Sequence, residues 1–200
     1  MIEVREATSK DVPQIVDIHL NAFPGFFLSS LGKGFLKLYY TAFITHKDGV
    51  LLVADKDSEV IGFAAGSVLS SGFYSRIIKA NFFKFALRGV GLLFTRPKNL
   101  LHVFKNMTKE SSDYNDTGQY SELISIGVNP QVQRSGAGRA LLTKFEETIE
   151  GKGSKMISLT TDYYDNEKAL AFYKSMDYTV WYDFITYPDR KMYRLQKMLD

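Results

Sequence analysis

The stretch that most constrains this 200-residue chain is "VNPQVQRSGAGRALL", residues 128–142. An apolar strand pattern, "YSELISIGV", leads into it, and a helical pattern with Leu141, Phe145 and Ile149 follows. Gly136 and Gly138 therefore stand in a turn that opens a helix. The free N–H groups of a helix's first turn attract anions, and glycines let a phosphate approach the backbone closely. The stretch thus predicts a phosphate-binding turn.

Two common nucleotide-binding patterns do not fit this turn. The P-loop of ATP-binding proteins needs a lysine and a Ser/Thr after its second glycine, but Arg139 and Ala140 follow Gly138 here. The dinucleotide fingerprint needs a third glycine and a β-α-β unit, and the turn comes late in the chain with neither. ATP and NAD are therefore poor fits, so a longer pattern has to identify the ligand.

That longer pattern is Val-x-Pro-x-x-Gln-x-x-Gly-x-Gly, which begins at Val128 and ends at Gly138. It resembles the acetyl-CoA motif of the GCN5-related N-acetyltransferase (GNAT) superfamily. The resemblance implies a GNAT acyl-CoA acyltransferase fold with acetyl-CoA as co-substrate, its pyrophosphate lying on the turn. The cofactor-binding residues that it implies in this stretch are Ile126, Gly127, Val128, Gln133, Arg134, Ser135, Gly136, Ala137, Gly138 and Arg139.

A second match lies downstream, in "NEKALAFY". Asn166, Ala169 and Tyr173 fit the family's Asn-x-x-Ala-x-x-x-Tyr helix, whose spacing places them along one helical face. In the family the tyrosine protonates the departing CoA thiolate and the asparagine binds near the pantetheine arm. The resemblance therefore implies Tyr173 as a catalytic acid, with a plain core aromatic as the alternative. The family's usual Gly-Phe is Asp177-Tyr178 here, which alters the end of the helix more than the chemistry.

Glu122 opens the strand before the glycine turn. In the superfamily's histone acetyltransferases, a glutamate at this offset is the general base. The resemblance therefore implies that Glu122 takes the proton of the acceptor amine. A surface glutamate and a water chain that replaces the base are the alternatives. The reaction needs no metal, and the scattered histidines and the absence of cysteine predict no metal site.

The rest of the periodicity predicts a mixed α/β (α+β) fold with flanking helices around a central sheet. The element order is β-α-α-β-β-insertion-β-α-β-α-β-β, with a hairpin turn at Asp55 to Ser58 and a basic helical insertion at about residues 70–118. The insertion lies between the third and fourth strands. The length fits a single GNAT domain over residues 1–200.

The insertion is one-sided in charge, because no Asp or Glu occurs between Glu59 and Glu110. The sequence leaves four roles for the insertion: a solvated or packing lid, a contact for an anionic substrate, a membrane-surface helix or a homodimer contact.

The loop between the first two helices and the helix after it are rich in aromatic residues. Phe26, Phe27 and Tyr39 are the predicted substrate-binding residues in these segments.

Aromatic rings beside basic charge favour an acceptor that has both a ring and negative charge. The sequence therefore predicts an N-acetyltransferase that acts on a primary amine of a small molecule, such as a nucleotide-linked amino sugar. A protein or peptide N-acetyltransferase, which the basic insertion disfavours, and a non-catalytic acyl-CoA sensor are the alternatives.

The formal charge of +3 and the pI near 8.9 suit an anionic ligand but are too weak to predict a nucleic-acid partner. The N-terminal stretch has no apolar segment of the kind a signal peptide needs, and no apolar run approaches the roughly 20 residues of a membrane span. We expect a cytoplasmic protein without stable membrane insertion.

Overall fold

Seven strands form one sheet in the computed structural model, which describes residues 1–83, 85, 115–132, 134–186 and 189–199. The strands are β1 (Ile2–Glu6), β2 (Gly49–Lys56), β3 (Glu59–Ser67), β4 (Ser121–Val128), β5 (Met156–Asp162), β6 (Thr179–Thr186) and β7 (Arg190–Met198). Their order across the sheet is β1-β2-β3-β4-β5-β7-β6. Only β4 and β5 pair in parallel. The predicted mixed central sheet is confirmed.

Helices cover both faces of this sheet. The described helices are α1 (Val12–Ala22), α2 (Phe27–Ser30), α3 (Lys33–Thr45), α4 (Phe73–Ala80), α5 (Ala137–Glu150) and α6 (Glu167–Lys174). One apolar cluster joins α1, α3 and α4 to the sheet, and a second joins α5 and α6 to its other side. We call these sides the α1/α3 face and the α5/α6 face.

The interior strand β2 shows why helices lie on both sides of the sheet. Leu51 and Val53 pack into the cluster of the α1/α3 face, whereas Leu52 and Ala54 pack into that of the α5/α6 face. Successive side chains of a strand point to opposite faces, so an unbroken apolar run buries both of them. The run "VLLVA" therefore requires a covered sheet.

The packing of α5 fixes the position of its N-terminal turn. Leu141, Phe145 and Ile149 are fully buried, and each such side chain contributes about 1.5–3 kcal/mol relative to an exposed one. A Cβ atom at Gly66 would lie 2.2 Å from the Glu122 carbonyl oxygen and 2.4 Å from the Phe145 ring. Only glycine at this position lets β3, β4 and α5 approach so closely.

β4 and β5 separate along their length. They pair only from Ser121 to Leu123, and β4 beyond Leu123 has no pairing with β5 in the described structure. On its other edge β4 pairs with β3, where the register shifts because Ala65 pairs with Ser125 and Gly66 with Leu123. Ile124 is therefore the extra residue of a β-bulge. The two parallel strands bound a gap that opens toward their C-terminal ends.

The described part of the predicted insertion begins with α4. Its Arg76 contacts Asp48 at 3.1 Å and donates a hydrogen bond to the Leu69 carbonyl, so this cation ties α4 to the neighbouring loops. The basic residues from Lys84 to Lys109 lie outside the described residues, as does Gln133. No described helix has the length and apolar character needed to cross a bilayer.

Candidate active site

The β4 side of the gap carries three predicted cofactor residues. Ile126 and Val128 pack toward the α5/α6 face, whereas Gly127 faces the rings of Phe63 and Phe23 on the α1/α3 face. Because this end of β4 has no β5 partner among the described residues, its edge can hydrogen-bond a bound molecule. An extended ligand inserted in the gap would add to the sheet as a strand does.

The predicted glycine turn caps α5 at the mouth of the gap. Gly136 is the N-cap with φ of +88°, a left-handed conformation that favours glycine. A Cβ atom at Gly138 would approach Phe172 and Val128 no closer than 3.9 Å, so packing within the protein does not require glycine there. The space over the first turn is therefore available to a ligand.

The remaining turn residues differ in their surroundings. Arg134 and Ser135 are exposed, and Arg134 adopts a φ of +64°. Ala137 is buried. Arg139 donates a hydrogen bond to the Ser175 hydroxyl at 2.9 Å and also contacts the sulfur of Met176. Its guanidinium therefore ties α5 to the C-terminal end of α6, whereas Arg134 carries its charge on the turn itself.

Asn166 lies on the β5 side of the gap and bonds to the end of that strand. Its Nδ2 donates hydrogen bonds to the Thr161 hydroxyl at 2.6 Å and to the Asp162 carbonyl at 2.9 Å. These bonds join the end of β5 to the start of α6. Ala169 lies one turn later and packs against the cluster of the α5/α6 face. The helix that carries Tyr173 is therefore fixed directly to the strand that lines the gap.

Tyr173 is 8% exposed and packs against Phe172 and Tyr178. Burial raises the pKa of Tyr173 to about 12. A free thiol has a pKa of about 8.5, so full proton transfer from this tyrosine to a CoA thiolate would be uphill by about 5 kcal/mol. A hydrogen bond to the thiolate costs no such transfer. Tyr173 is therefore a buried aromatic residue of the α5/α6 face, and its hydroxyl stays protonated near neutral pH.

Glu122 lies on the other face of the sheet, at the end of the gap where β4 and β5 still pair. Its Oε2 accepts a hydrogen bond from the Ser70 hydroxyl at 2.6 Å, and its Oε1 accepts one from Arg194 Nη1 at 2.6 Å. Each carboxylate oxygen retains one further lone pair. A base at this position would therefore act beside a guanidinium charge.

Arg194 of β7 also reaches a second carboxylate. Its Nε lies 3.7 Å from Asp116 Oδ2, and the side chains of Arg194 and Asp116 are only 14% and 7% exposed. Burial alone would lower the pKa of Arg194, but the charge of Glu122 and its hydrogen bond to the guanidinium raise it above its ordinary value. The guanidinium therefore stays charged between the two carboxylates.

Asp116 is surrounded by donors. Burial alone would raise the pKa of Asp116, but hydrogen bonds from the Tyr182 hydroxyl, the Gly118 N–H and the Tyr120 hydroxyl lower it, together with the charge of Arg194. We call Asp116, Glu122 and Arg194 the charged cluster. With two carboxylates and one guanidinium it carries a net charge of −1.

Sequence reasoning did not find two members of this cluster, Arg194 and Asp116. The sequence held one indication, which is that Arg194 stands inside the strand "KMYRLQKML". A charged side chain that is buried in a sheet needs a partner. Nothing in the sequence indicated that the partners would be 72 and 78 positions away, in β4 and in the loop before it.

The predicted substrate-binding aromatics occupy different environments. Tyr39 is 4% exposed, and its hydroxyl has no hydrogen-bond partner among the described residues. Burial raises the pKa of Tyr39, and so does the charge of Glu122, which places this hydroxyl near the charged cluster. Phe27 starts α2 and is half-buried.

Phe26 is 38% exposed and lies under the Arg190 guanidinium, which is 4.7 Å from the centre of its ring. Arg190 in turn forms a two-pronged ion pair with Asp162 at 2.5 and 2.7 Å. Asp162 ends β5, so this chain of contacts connects the α1–α2 loop to the β5 side of the gap.

The predicted cofactor residues that the structure describes, which are all of them except Gln133, lie at the gap or on the α5/α6 face beside it. Tyr173 packs on that face, whereas Glu122 packs toward Tyr39 on the opposite one. The two predicted catalytic residues flank one gap from two sides. Within the described residues, no three His, Asp or Glu side chains are grouped to hold a metal ion.

Comparison with known proteins identifies this arrangement. The acetyltransferase (GNAT) family model matches residues 12–178. The chain belongs to the GNAT family. Acetyltransferases of this family use acetyl-CoA, so the gap and the glycine turn are where the family's co-substrate is expected. A search of curated protein sequences finds no significant match.

Solved structures of acetyltransferases share this fold. The ribosomal-protein-S18-alanine N-acetyltransferase from Escherichia coli has 15% identity and a TM-score of 0.62, with 100% of this chain and 95% of that chain covered. The PaiA N-acetyltransferase from Thermoplasma acidophilum, in complex with coenzyme A, has 15% identity and a TM-score of 0.62, with coverage of 100% and 99%. The putative acetyltransferase YncA from Salmonella typhimurium, with acetyl-CoA, has 14% identity and a TM-score of 0.62, with coverage of 100% and 94%.

Proposed function

We propose that this protein transfers the acetyl group of acetyl-CoA to a primary amine of a small molecule in the cytoplasm. The observation that carries the proposal is the gap between β4 and β5. The glycine turn and Tyr173 lie toward one face of the gap, and the charged cluster lies toward the other. Donor and acceptor would approach the same strand edge from opposite faces.

The reaction would use these groups in sequence. Backbone N–H groups of β4 between Ile126 and Val128 would hold the pantetheine arm and polarise the thioester carbonyl. Glu122, directly or through water, would take the amine proton. The tetrahedral intermediate would then expel the thiolate, which the Tyr173 hydroxyl would stabilise. Because both substrates are held in place, positioning supplies much of the rate.

Contacts on the α1/α3 face support a small acceptor. The Phe26–Arg190–Asp162 chain ties the α1–α2 loop to the end of β5, and an extended polypeptide that entered there would have to break these contacts. The charged cluster is net negative and is surrounded by tyrosine hydroxyls, which suits a cationic amine that also carries hydroxyl groups. An amino sugar has this chemistry. A nucleotide-linked form would need the basic residues of the insertion, most of which lie outside the described residues.

An acetyl-CoA assay across amine classes tests the proposal. Release of the CoA thiol is followed with amino sugars, nucleotide-linked amino sugars, polyamines, amino acids and N-terminal peptides, and the acetylated product is identified by mass spectrometry. We expect release with amino sugars that exceeds the release without amine. Release with peptides alone would support a protein acetyltransferase, and tight CoA binding without release would support a sensor. Either result would overturn the proposal.

A further inference from the structure

We infer that Ser70 is the positioning residue of the proposed base. Its hydroxyl holds the Glu122 carboxylate in place and makes Oε2, rather than Oε1, the oxygen that takes the amine proton. The inference rests on the proposed function, because it assigns a residue to the proton transfer proposed there. Ser70 acts through Glu122 and leaves contact with the substrate to that residue.

The carboxylate of Glu122 is held from both sides of its strand. Ser70 follows β3 and donates to Oε2 at 2.6 Å, whereas Arg194 lies on β7 and donates to Oε1 at 2.6 Å. In the sheet, β4 carries Glu122 between β3 on one side and β5 and β7 on the other. Because each oxygen has its own donor, the carboxylate cannot rotate without breaking a short hydrogen bond.

The backbone around Ser70 is fixed as well. The Ser70 N–H donates to the Tyr120 carbonyl at 2.8 Å, and the Ser70 carbonyl accepts from the Phe73 N–H at 3.0 Å. Arg76 donates to the carbonyls of the two residues that flank Ser70, at 2.5 and 2.9 Å. Since Tyr120 precedes β4 and the gap opens at the other end of that strand, Ser70 supports Glu122 from behind. The side of the carboxylate toward the gap is left to the substrate.

The two oxygens of Glu122 differ in how well they accommodate a proton. Oε1 faces the guanidinium of Arg194, and arginine has hydrogen-bond donors only. A proton on Oε1 would therefore point a second donor at the N–H of Arg194. Oε2 faces a neutral hydroxyl instead, so the amine proton goes to Oε2.

A serine hydroxyl fits both states of Oε2, because it has one hydrogen to donate and two lone pairs that accept. Before the transfer it donates to the carboxylate. After the transfer it rotates and accepts the hydrogen of the protonated Oε2. Ser70 is half-buried, so its own hydrogen can then turn to water. The protonated base keeps a partner, and Arg194 keeps its bond to Oε1.

The transfer step moves one proton and leaves Ser70 unchanged. As the amine nitrogen bonds to the carbonyl carbon, an N–H proton moves to Oε2 and its electron pair stays on nitrogen. The π electrons of the carbonyl move onto oxygen. When the C–S bond breaks, its electron pair leaves with sulfur and the C=O bond forms again. Glu122 then releases the proton to water before the next turnover.

The variants Ser70→Thr and Ser70→Val test this role, because the two new side chains have the same shape and differ in the hydroxyl. We expect Ser70→Thr to keep kcat near the wild-type value. Ser70→Val should lower kcat about 10- to 100-fold, as the loss of one hydrogen bond to a charged group does, with KM for acetyl-CoA unchanged. The control is Ser121→Ala, since the Ser121 hydroxyl stands next to Glu122 in the chain but donates to the Val68 carbonyl.

Carbon NMR of the protein labelled with ¹³C at the carboxyl carbon of glutamate side chains reads the hydrogen bond without any substrate. The Glu122 resonance is identified by its loss in Glu122→Gln. We expect it to keep its wild-type position in Ser70→Thr and Ser121→Ala and to move in Ser70→Val. An unmoved resonance in Ser70→Val would overturn the inference.

The kinetic outcomes separate this inference from the proposed function. Wild-type kcat in Ser70→Val, or equal losses in Ser70→Thr and Ser70→Val, would overturn the role of Ser70 while acetyl transfer by the wild type stands. Wild-type kcat in Glu122→Gln would remove the base, and the inference with it. If the wild type acetylates no amine, the proposed function fails and the inference fails too.

Discussion

The two faces of the sheet flank the same gap with different chemistry. On the α5/α6 face the predicted groups are backbone amides of a helix start, a glycine without a packing role and the protonated hydroxyl of Tyr173. On the α1/α3 face the groups are ionised side chains and buried hydroxyls, held by hydrogen bonds among distant segments. The groups predicted to bind the donor on the first face carry partial charges. The charged cluster on the second face instead holds three ionised side chains that are at most 14% exposed.

This difference sets how each face should respond to mutation. Substitutions at the glycine turn of the α5/α6 face should weaken ligand binding and leave the stability of the protein unchanged. Substitutions in the charged cluster should first lower the stability of the protein, because the removal of one charged partner leaves the others uncompensated. The predictions below test this contrast.

The largest effect is expected from Arg194→Met. The substitution leaves Glu122 and Asp116 buried without their cation, and breaking such a pair costs about 3–5 kcal/mol. Urea unfolding measures the loss. The control is Lys33→Met, whose exposed pair with Asp17 should contribute no more than about 1 kcal/mol. Equal losses for the two variants would contradict the role given to the charged cluster.

The second effect is a dependence of stability on pH that arises from His19. Burial lowers the pKa of His19 to about 4, whereas an unfolded histidine has a pKa of about 6.5. The unfolded chain therefore binds the proton first, so the stabilisation is complete above pH 6.5 and is lost as the pH falls toward 4. The loss should be about 3 kcal/mol by pH 4. His19→Gln should flatten this part of the curve, and an unchanged slope would contradict the assignment.

On the α5/α6 face, Gly138→Leu should weaken acetyl-CoA binding by about 100-fold or more, near 2.7 kcal/mol. The side chain would fill the space over the first turn of α5, while the nearest protein atoms are 3.9 Å from its Cβ. Calorimetric titration measures binding, and thermal unfolding should show retained stability. Gly136→Leu is the comparison, since its φ of +88° adds backbone strain of about 1–2 kcal/mol. Wild-type affinity in Gly138→Leu would place the cofactor elsewhere.

The smallest effect is expected from Tyr173→Phe. Because the pKa of Tyr173 is about 12, its hydroxyl would help by hydrogen bonding more than by full proton transfer. We expect kcat to fall by about 10²-fold at most, the lower end of acid–base catalysis, with stability unchanged. Steady-state kinetics between about pH 6 and 8, where folded proteins tend to be most stable, would check it. A wild-type kcat in Tyr173→Phe would contradict the role given to this hydroxyl in the release of the thiolate.

The two faces also differ in how far the sequence predicts them. The glycine turn and the Asn166 helix are local patterns, so their residues could be placed from spacing, and the mixed sheet followed from periodicity. The charged cluster joins β4, β7 and the loop before β4, and the hydrogen bond between His19 and Tyr40 joins α1 to α3. Such contacts depend on strand register, including the bulge at Ile124, which no local pattern encodes. The roles of Glu122, Tyr173 and Phe26 remain predictions.

The most direct test of the gap as the donor site is a titration of the ¹⁵N-labelled protein with acetyl-CoA alone, followed by NMR of the backbone amides. The account predicts that the largest shifts fall on two short segments, Ser125 to Val128 at the open edge of β4 and Gly136 to Arg139 at the start of α5. Amides of the β1–β2 pair should stay in place. Binding that leaves both segments unshifted and moves amides elsewhere would contradict the account.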